Sequence, residues 1–192
     1  MPKTSKRSSK ATKSGFDKAV PWIGAAAVTI IGILVIIAVA NQLQSDAIEG
    51  LLTYGRPAQE HTTEPVTYEQ TPSVGGPHDP VWQNCGVYDQ PIRSENAVHS
   101  LEHGAVWITY RPELAADDVA ALNKLASGRS HLLLSPYPDL PSPVVASAWG
   151  VQVQVDRATD KRLSTFITRY MQGPQTPEPG ATCSGGIGAP IG

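Results

Sequence analysis

The sequence predicts an α+β fold, with a small mixed or antiparallel sheet and two to three helices, preceded by one transmembrane helix. Three observations predict it. A long apolar run lies near the N-terminus, helix-like and strand-like patterns alternate after residue 94, and two cysteines, Cys85 and Cys183, bracket most of that region. A chain of 192 residues leaves room for one domain with appendages.

The apolar run, residues 19–40, predicts the transmembrane helix, because no charged residue occurs between Lys18 and Asp46. At about 1.5 Å per residue the run gives about 33 Å of helix, enough to cross a bilayer core. A cleaved signal peptide is the alternative, since Ala38 and Ala40 form an A-x-A pattern. The run is longer than the roughly 7 to 15 apolar residues of a signal peptide, so we expect an uncleaved anchor.

The charge distribution gives this span a direction. Residues 1–18 carry six cations and one anion, and the remainder carries nine cations and sixteen anions. The positive-inside rule therefore places this basic stub in the cytoplasm and the C-terminal part outside the plasma membrane, as a single-pass protein. The outer part has a charge of 9 − 16 = −7, which argues against nucleic acid as a partner. The expected partner is the lipid bilayer, through residues 19–40.

Cys85 and Cys183 are expected to form a disulfide, because an even number of cysteines outside the membrane is typical of one. The bridge would tie the loose segment before Cys183 to the domain. A thiolate metal ligand is the alternative for Cys85, although no C-x-x-C motif supports it.

Between the predicted span and the first helix of the outer part, the chain lacks periodicity. Residues 41–71 are polar and are expected to form a stalk, in which His61 would be solvated. The folded domain is expected over residues 72–185, followed by a flexible, glycine-rich tail over 186–192. Its first part, residues 72–96, is rich in proline and glycine and reads as a loop that packs.

Helix and strand patterns then follow one another. Ser94 is a fair N-cap and Gly104 suits the position after a helix, which predicts a helix over residues 95–103. Five further elements are predicted: a strand over 105–111, a helix over 112–128, a strand over 131–136, one kinked strand or two over 143–156, and a helix over 159–173. We expect the helices to cover one face of the sheet.

The helix predicted over residues 95–103 carries the motif H-x-x-E-H, formed by His99, Glu102 and His103. His99 and His103 stand at i and i+4, so their imidazoles share one face of the helix and can reach one metal ion. In zinc peptidases with this spacing the glutamate activates water, and under the alternative of a small zinc-dependent hydrolase Glu102 would be the catalytic residue. Gly104 ends the helix directly, and the sequence has no recognisable signature of a further ligand. A protein that is not an enzyme is therefore favoured.

His78, in the loop before this helix, adds a third imidazole. His78, His99 and His103 together predict a three-histidine site for copper or zinc, which imidazole ligands suit. A purely structural role is the main alternative, with His103 bonded to a loop carbonyl, His99 half-exposed, and Glu102 paired with Arg93 or Arg111. A further alternative is a non-catalytic accessory subunit of a larger membrane complex, anchored through an exposed Trp82, Trp107 or Trp149.

Several blocks in order resemble a known family. They are G-P-H at 76–78, C-G-V-Y at 85–88, VHSLEHGAVWITYRP at 98–112 and LLLSPYPDLPSPVVASAWG at 132–150. The chain resembles, over residues 70–185, the bacterial domain of unknown function family numbered 3105. The resemblance implies a basic stub, one span and an exported domain, and it implies that the G-P-H and H-S-L-E-H-G blocks belong to one domain. It implies no activity.

Overall fold

The computed structural model describes residues 28–38 and 47–191. The chain divides into two compact units, Met1–Ala47 and Ile48–Gly192. In the first unit residues 28–38 form a helix, α1, with exposed side chains. None of the described helices is both long and apolar enough to span a bilayer. The basic stub and the rest of the predicted span, residues 19–27 and 39–40, lie outside the described residues.

The second unit is built on one mixed sheet of six strands, in the spatial order β1-β6-β5-β3-β4-β2. The strands are β1 (Leu52–Thr53), β2 (Gly86–Val87), β3 (Val106–Tyr110), β4 (Leu132–Pro136), β5 (Val144–Ala148) and β6 (Val151–Val155). Strand β4 runs parallel to β2 and β3, while β5 is antiparallel to β3 and β6, and β1 is antiparallel to β6. The predicted α+β class with a mixed sheet is confirmed.

Three helices pack on this sheet: α2 (Ser94–Glu102), α3 (Ala116–Ala126) and α4 (Lys161–Tyr170). They cover both faces, not the single face that the sequence predicted. Ile108 of β3 packs with Leu122 of α3 and Phe166 of α4, whereas its neighbour Trp107 packs with Leu101 of α2. Successive residues of a strand point to opposite faces, and β3 is buried throughout, so both of its faces need cover.

Helix α2 ends where the chain turns into β3. His103 occupies the C-cap position, and Gly104 follows with φ +92°, a left-handed conformation that side chains disfavour. A Cβ atom at Gly104 would also lie 2.9 Å from Nε2 of Gln172. The turn therefore fixes where α2 stops and how His103 is presented.

The described parts of the segments expected to be a stalk and a tail, residues 48–71 and 186–191, belong to the second unit, which differs from the prediction. The main chain of Thr62 donates to the carbonyl of His78, and that of His78 donates to Glu60. At the other end Ile191 donates to the carbonyl of Val87 in β2. Main-chain hydrogen bonds need no side-chain periodicity, so the polar composition of these segments did not reveal them.

Cys85 and Cys183 form the predicted disulfide, with their Cα atoms 5.3 Å apart. The bridge holds the segment after α4 beside the loop that precedes α2. The main chain of Cys85 also donates to the carbonyl of Cys183. Both cysteines are thereby excluded as thiolate ligands, and the alternative of a metal-binding Cys85 is wrong.

Candidate metal centre

Four side chains converge beside helix α2, and we call them the cluster: His61, His78, His99 and Glu102. Each offers one ligand atom, and the four atoms lie within 4.8 Å of one another. His78, His99 and Glu102 are buried, whereas the His61 side chain is 48% exposed. The cluster is thus closed by the domain on one side and reaches solvent at His61.

His61 belongs to the cluster, although the sequence predicted it to be solvated. Its main chain forms a parallel β-bridge with His78, which brings the two rings to a centroid distance of 4.9 Å. Its ring also stacks on His99 at 5.0 Å. The only sequence signal was the distribution of histidine, because four of the five histidines fall within residues 61–103.

Glu102 faces two imidazoles. Its Oε2 lies 2.9 Å from Nε2 of His78 and 3.7 Å from Nε2 of His61. The arginine partners considered for it are engaged elsewhere, since Arg93 pairs with Asp79 and Glu95 and Arg111 donates to a main-chain carbonyl. Glu102 is therefore a buried carboxylate whose observed partners are imidazoles, which is the environment of a metal ligand or of a buried ion pair.

Three histidines have their rings fixed in the same way, each by a bond from Nδ1 to a main-chain carbonyl. The pairs are His78 with Gly76 at 2.8 Å, His99 with Asp79 at 2.7 Å, and His103 with Thr182 at 2.7 Å. A carbonyl only accepts, so Nδ1 carries the proton and Nε2 of the neutral ring presents a lone pair. Histidines that bind metal are commonly oriented by such a bond.

His103 lies next to the cluster and outside the set of four. Its Nε2 is 3.0 Å from Nε2 of His99 and 3.4 Å from Oε2 of Glu178. The predicted three-histidine set is thus brought together in part: His78 and His99 lie in the cluster, and His103 contacts His99. The bond from His103 to the Thr182 carbonyl is also the one expected for a structural role, whereas His99 is buried and not half-exposed.

Glu178 was not predicted as a site residue. It lies on the segment between α4 and Cys183, and its main chain donates to the carbonyl of Glu102 at 3.2 Å. Its carboxylate is 52% exposed and points to His103. The sequence around it is rich in proline and glycine, so no periodic pattern could have connected it with α2.

The charges of the cluster shift its titration. Burial alone would lower the pKa of His78, but the hydrogen bond and charge of Glu102 and the bond to Gly76 raise it above its ordinary value. For Glu102 burial acts to raise the pKa, and the bond and charge of His78 lower it on balance. Burial and the neighbouring imidazoles lower the pKa of His99. These directions favour a charged pair of His78 and Glu102 beside a neutral His99 when no ion is bound.

Two tryptophans line the site. The ring centroid of Trp82 is 4.9 Å from that of His103, and Trp149 is 5.9 Å from His78. Trp107 and Trp149, which were considered as exposed anchors for a larger complex, are buried. The apolar rings lower the local dielectric, which strengthens the interaction of a cation with its ligands.

A sequence model of the family described as "Protein of unknown function (DUF3105)" matches residues 59–185, more than half of the chain. The chain belongs to this family. The match confirms the resemblance seen in the sequence, and it spans every residue of the cluster together with His103, Glu178 and the disulfide. No curated protein and no solved structure matches the chain.

Proposed function

We propose that the domain binds a transition-metal ion, copper or zinc, in the cluster. The observation that carries this proposal is the convergence of four ligand atoms within 4.8 Å, one of them from a buried carboxylate. His78 and His99 already have Nδ1 committed to carbonyls, so their Nε2 atoms are prepared as ligands.

The contact between His99 and His103 favours a cation over a purely structural role. Both rings donate from Nδ1, so neither neutral Nε2 has a proton to offer the other at 3.0 Å. One added proton could also satisfy this contact, and the lowered pKa of His99 disfavours its residence on that ring. A metal ion accepts electron pairs from imidazoles and needs no such proton.

The type of ligand narrows the choice of metal ion. Imidazole and carboxylate suit zinc and copper(II), whereas copper(I) prefers thiolate and thioether sulfur. Both cysteines are in the disulfide, so neither supplies a thiolate. These ligands support copper(II) or zinc.

Metal binding is favoured over hydrolysis by the position of Glu102. A glutamate that activates water must face an open coordination position, but Glu102 is 2% exposed and bonded to His78. It acts as a ligand in our proposal, and no catalytic residue is assigned.

We also propose that the domain is displayed outside the plasma membrane by the span at residues 19–40. The basic stub and the disulfide support this placement. Protease added to intact spheroplasts should digest the domain, whereas the domain should be protected in inverted vesicles. The opposite pattern would refute the topology. For such a location we propose metal handling or the support of a membrane metalloenzyme as the role.

Metal content of the untagged full chain, purified in detergent, tests the binding proposal. After incubation with Zn²⁺ or Cu²⁺ and removal of excess, mass spectrometry should find metal in the wild type. The His78→Ala, His99→Ala double variant should lose it. His131→Ala is the matched control, since His131 bonds to Ser130 and Ala181 and lies outside the cluster. A wild type without metal, or a double variant that keeps it, would overturn the proposal.

A further inference from the structure

We propose that this centre holds two metal ions, an inference that rests on the proposed function. The ligands are His61, His78 and Glu102 for the first ion, and His99, His103 and Glu178 for the second. Each ion would be held by two imidazoles and one carboxylate, with coordination positions left for water or a transferred ligand.

The number of ligand groups here exceeds what one zinc ion binds. A zinc ion in a protein takes four ligands in a closed site, or three and water in an open one. The cluster already supplies four, and His103 and Glu178 add two more within 3.4 Å of one another. Six ligand groups are too many for one such ion and match two ions with three each.

The second site has suitable distances. The Nε2 atoms of His99 and His103 lie 3.0 Å apart, and Oε2 of Glu178 lies 3.4 Å from Nε2 of His103. With metal–ligand distances near 2.0–2.1 Å, these separations correspond to angles of about 94° and about 110° at an ion. Both angles suit neighbouring ligands of zinc or copper.

The first site is comparable. Oε2 of Glu102 lies 2.9 Å from Nε2 of His78 and 3.7 Å from Nε2 of His61. The same metal–ligand distances give angles of about 90° and about 125° at an ion. Assigning His99 to the second ion leaves this first group intact.

The second site is held by the fold at several points. The segment that carries Glu178 donates from its main chain to the carbonyl of Glu102, at the end of α2. The carbonyl of Thr182 orients the ring of His103, and the adjacent Cys183 is bridged to Cys85. Glu178 is thereby fixed at the edge of the cluster, where its charge would offset that of a second dication.

Two measurements on the untagged full chain test the inference. Native mass spectrometry with Zn²⁺ should find two ions per chain in the wild type. Glu178→Gln should lose one ion, and Glu113→Gln, which changes an exposed glutamate outside the site, should keep both. Glu178 is half-exposed, so its substitution is expected to leave the fold intact.

Electron paramagnetic resonance of the Cu²⁺-loaded protein provides the second readout. Two copper ions within a few ångströms, as in two-metal sites about 3.5–4 Å apart, couple magnetically and lose the signal of isolated ions. Glu178→Gln should restore an isolated-copper spectrum. One ion in the wild type, with the same spectrum in Glu178→Gln, would overturn the two-ion inference and leave the proposed function standing. No bound ion would overturn both.

Discussion

Glu102→Gln removes one negative charge from the cluster and keeps the shape of the side chain. In the ion-free protein the amide can still donate to Nε2 of a neutral His78, whose Nδ1 donates to Gly76. Charged hydrogen bonds contribute about 1.5–3 kcal/mol and neutral ones about 1 kcal/mol. We therefore expect the variant to fold, with a free energy of unfolding lower by about 1–2 kcal/mol.

The effect on metal binding should be larger. Substituting a residue that hydrogen-bonds to a metal ligand, without binding the metal itself, already lowers metal affinity by about 10- to 100-fold. Loss of the ligating carboxylate should therefore lower the affinity by at least about 100-fold. At a free Zn²⁺ concentration of about 100 times the wild-type Kd, the wild type gains about 2.7 kcal/mol and the variant about 0.4 kcal/mol. For a domain of about 150 residues this corresponds to about 5–11 °C in Tm for the wild type and about 1–2 °C for the variant.

Thermal unfolding followed by circular dichroism, with Zn²⁺ and with a chelator, measures both values. The protein that keeps Glu102 and the Glu102→Gln variant should both carry Glu178→Gln, so that a second ion does not contribute to Tm. Glu113→Gln in the same background is the control, because Glu113 is exposed. If Glu102→Gln keeps the full Zn²⁺-dependent rise in Tm, Glu102 is not a ligand.

Three further predictions follow from the same geometry. Because the pKa of His78 is raised above 6.5, its proton stabilises the ion-free fold below pH 6.5, and this contribution is lost as the pH rises through the raised pKa. Zn²⁺ must displace the same proton, so the Zn²⁺ affinity measured by calorimetry should increase across the same pH window. A Zn²⁺ affinity that is flat from pH 6 to 8 would contradict this. Gly104→Ala should destabilise the domain by more than Gly128→Ala in chemical denaturation, since both glycines have positive φ but only Gly104 lacks room for a Cβ; equal losses would count against a steric role for this turn. Replacing Cys85 and Cys183 by serine should cost about 2–5 kcal/mol of unfolding free energy and release the second Zn²⁺, and full retention of two ions would refute the role of the bridge in holding that site.

The sequence was informative where periodicity reports burial. Strand β3 and helix α4 lie within their predicted ranges, because β-branched residues and the spacing of Leu163, Phe166 and Tyr170 reflect the faces that they bury. The placement of α2 on the opposite face of the sheet was not predicted. Helix α2 packs on that face against Trp107. The burial of Trp107 there is determined by how the chain returns to the sheet, and no local pattern of residues shows it.

The site was predicted in part for the same reason. His99 and His103 are neighbours on one helix, so their spacing alone brought them together. His61 and Glu178 lie in aperiodic segments that are placed by main-chain hydrogen bonds and by the disulfide. Such long-range connections leave no spacing in the sequence, and so the sequence revealed the helical part of the candidate centre and missed the two more exposed side chains that we propose as ligands.

An anomalous-scattering map from a crystal of the Zn²⁺-loaded protein, recorded at the zinc absorption edge, would locate a bound ion directly. We expect a peak about 2.0–2.2 Å from Nε2 of His78 and from a carboxylate oxygen of Glu102. A map with no peak among these side chains, while His78 and Glu102 remain bonded to each other, would contradict it.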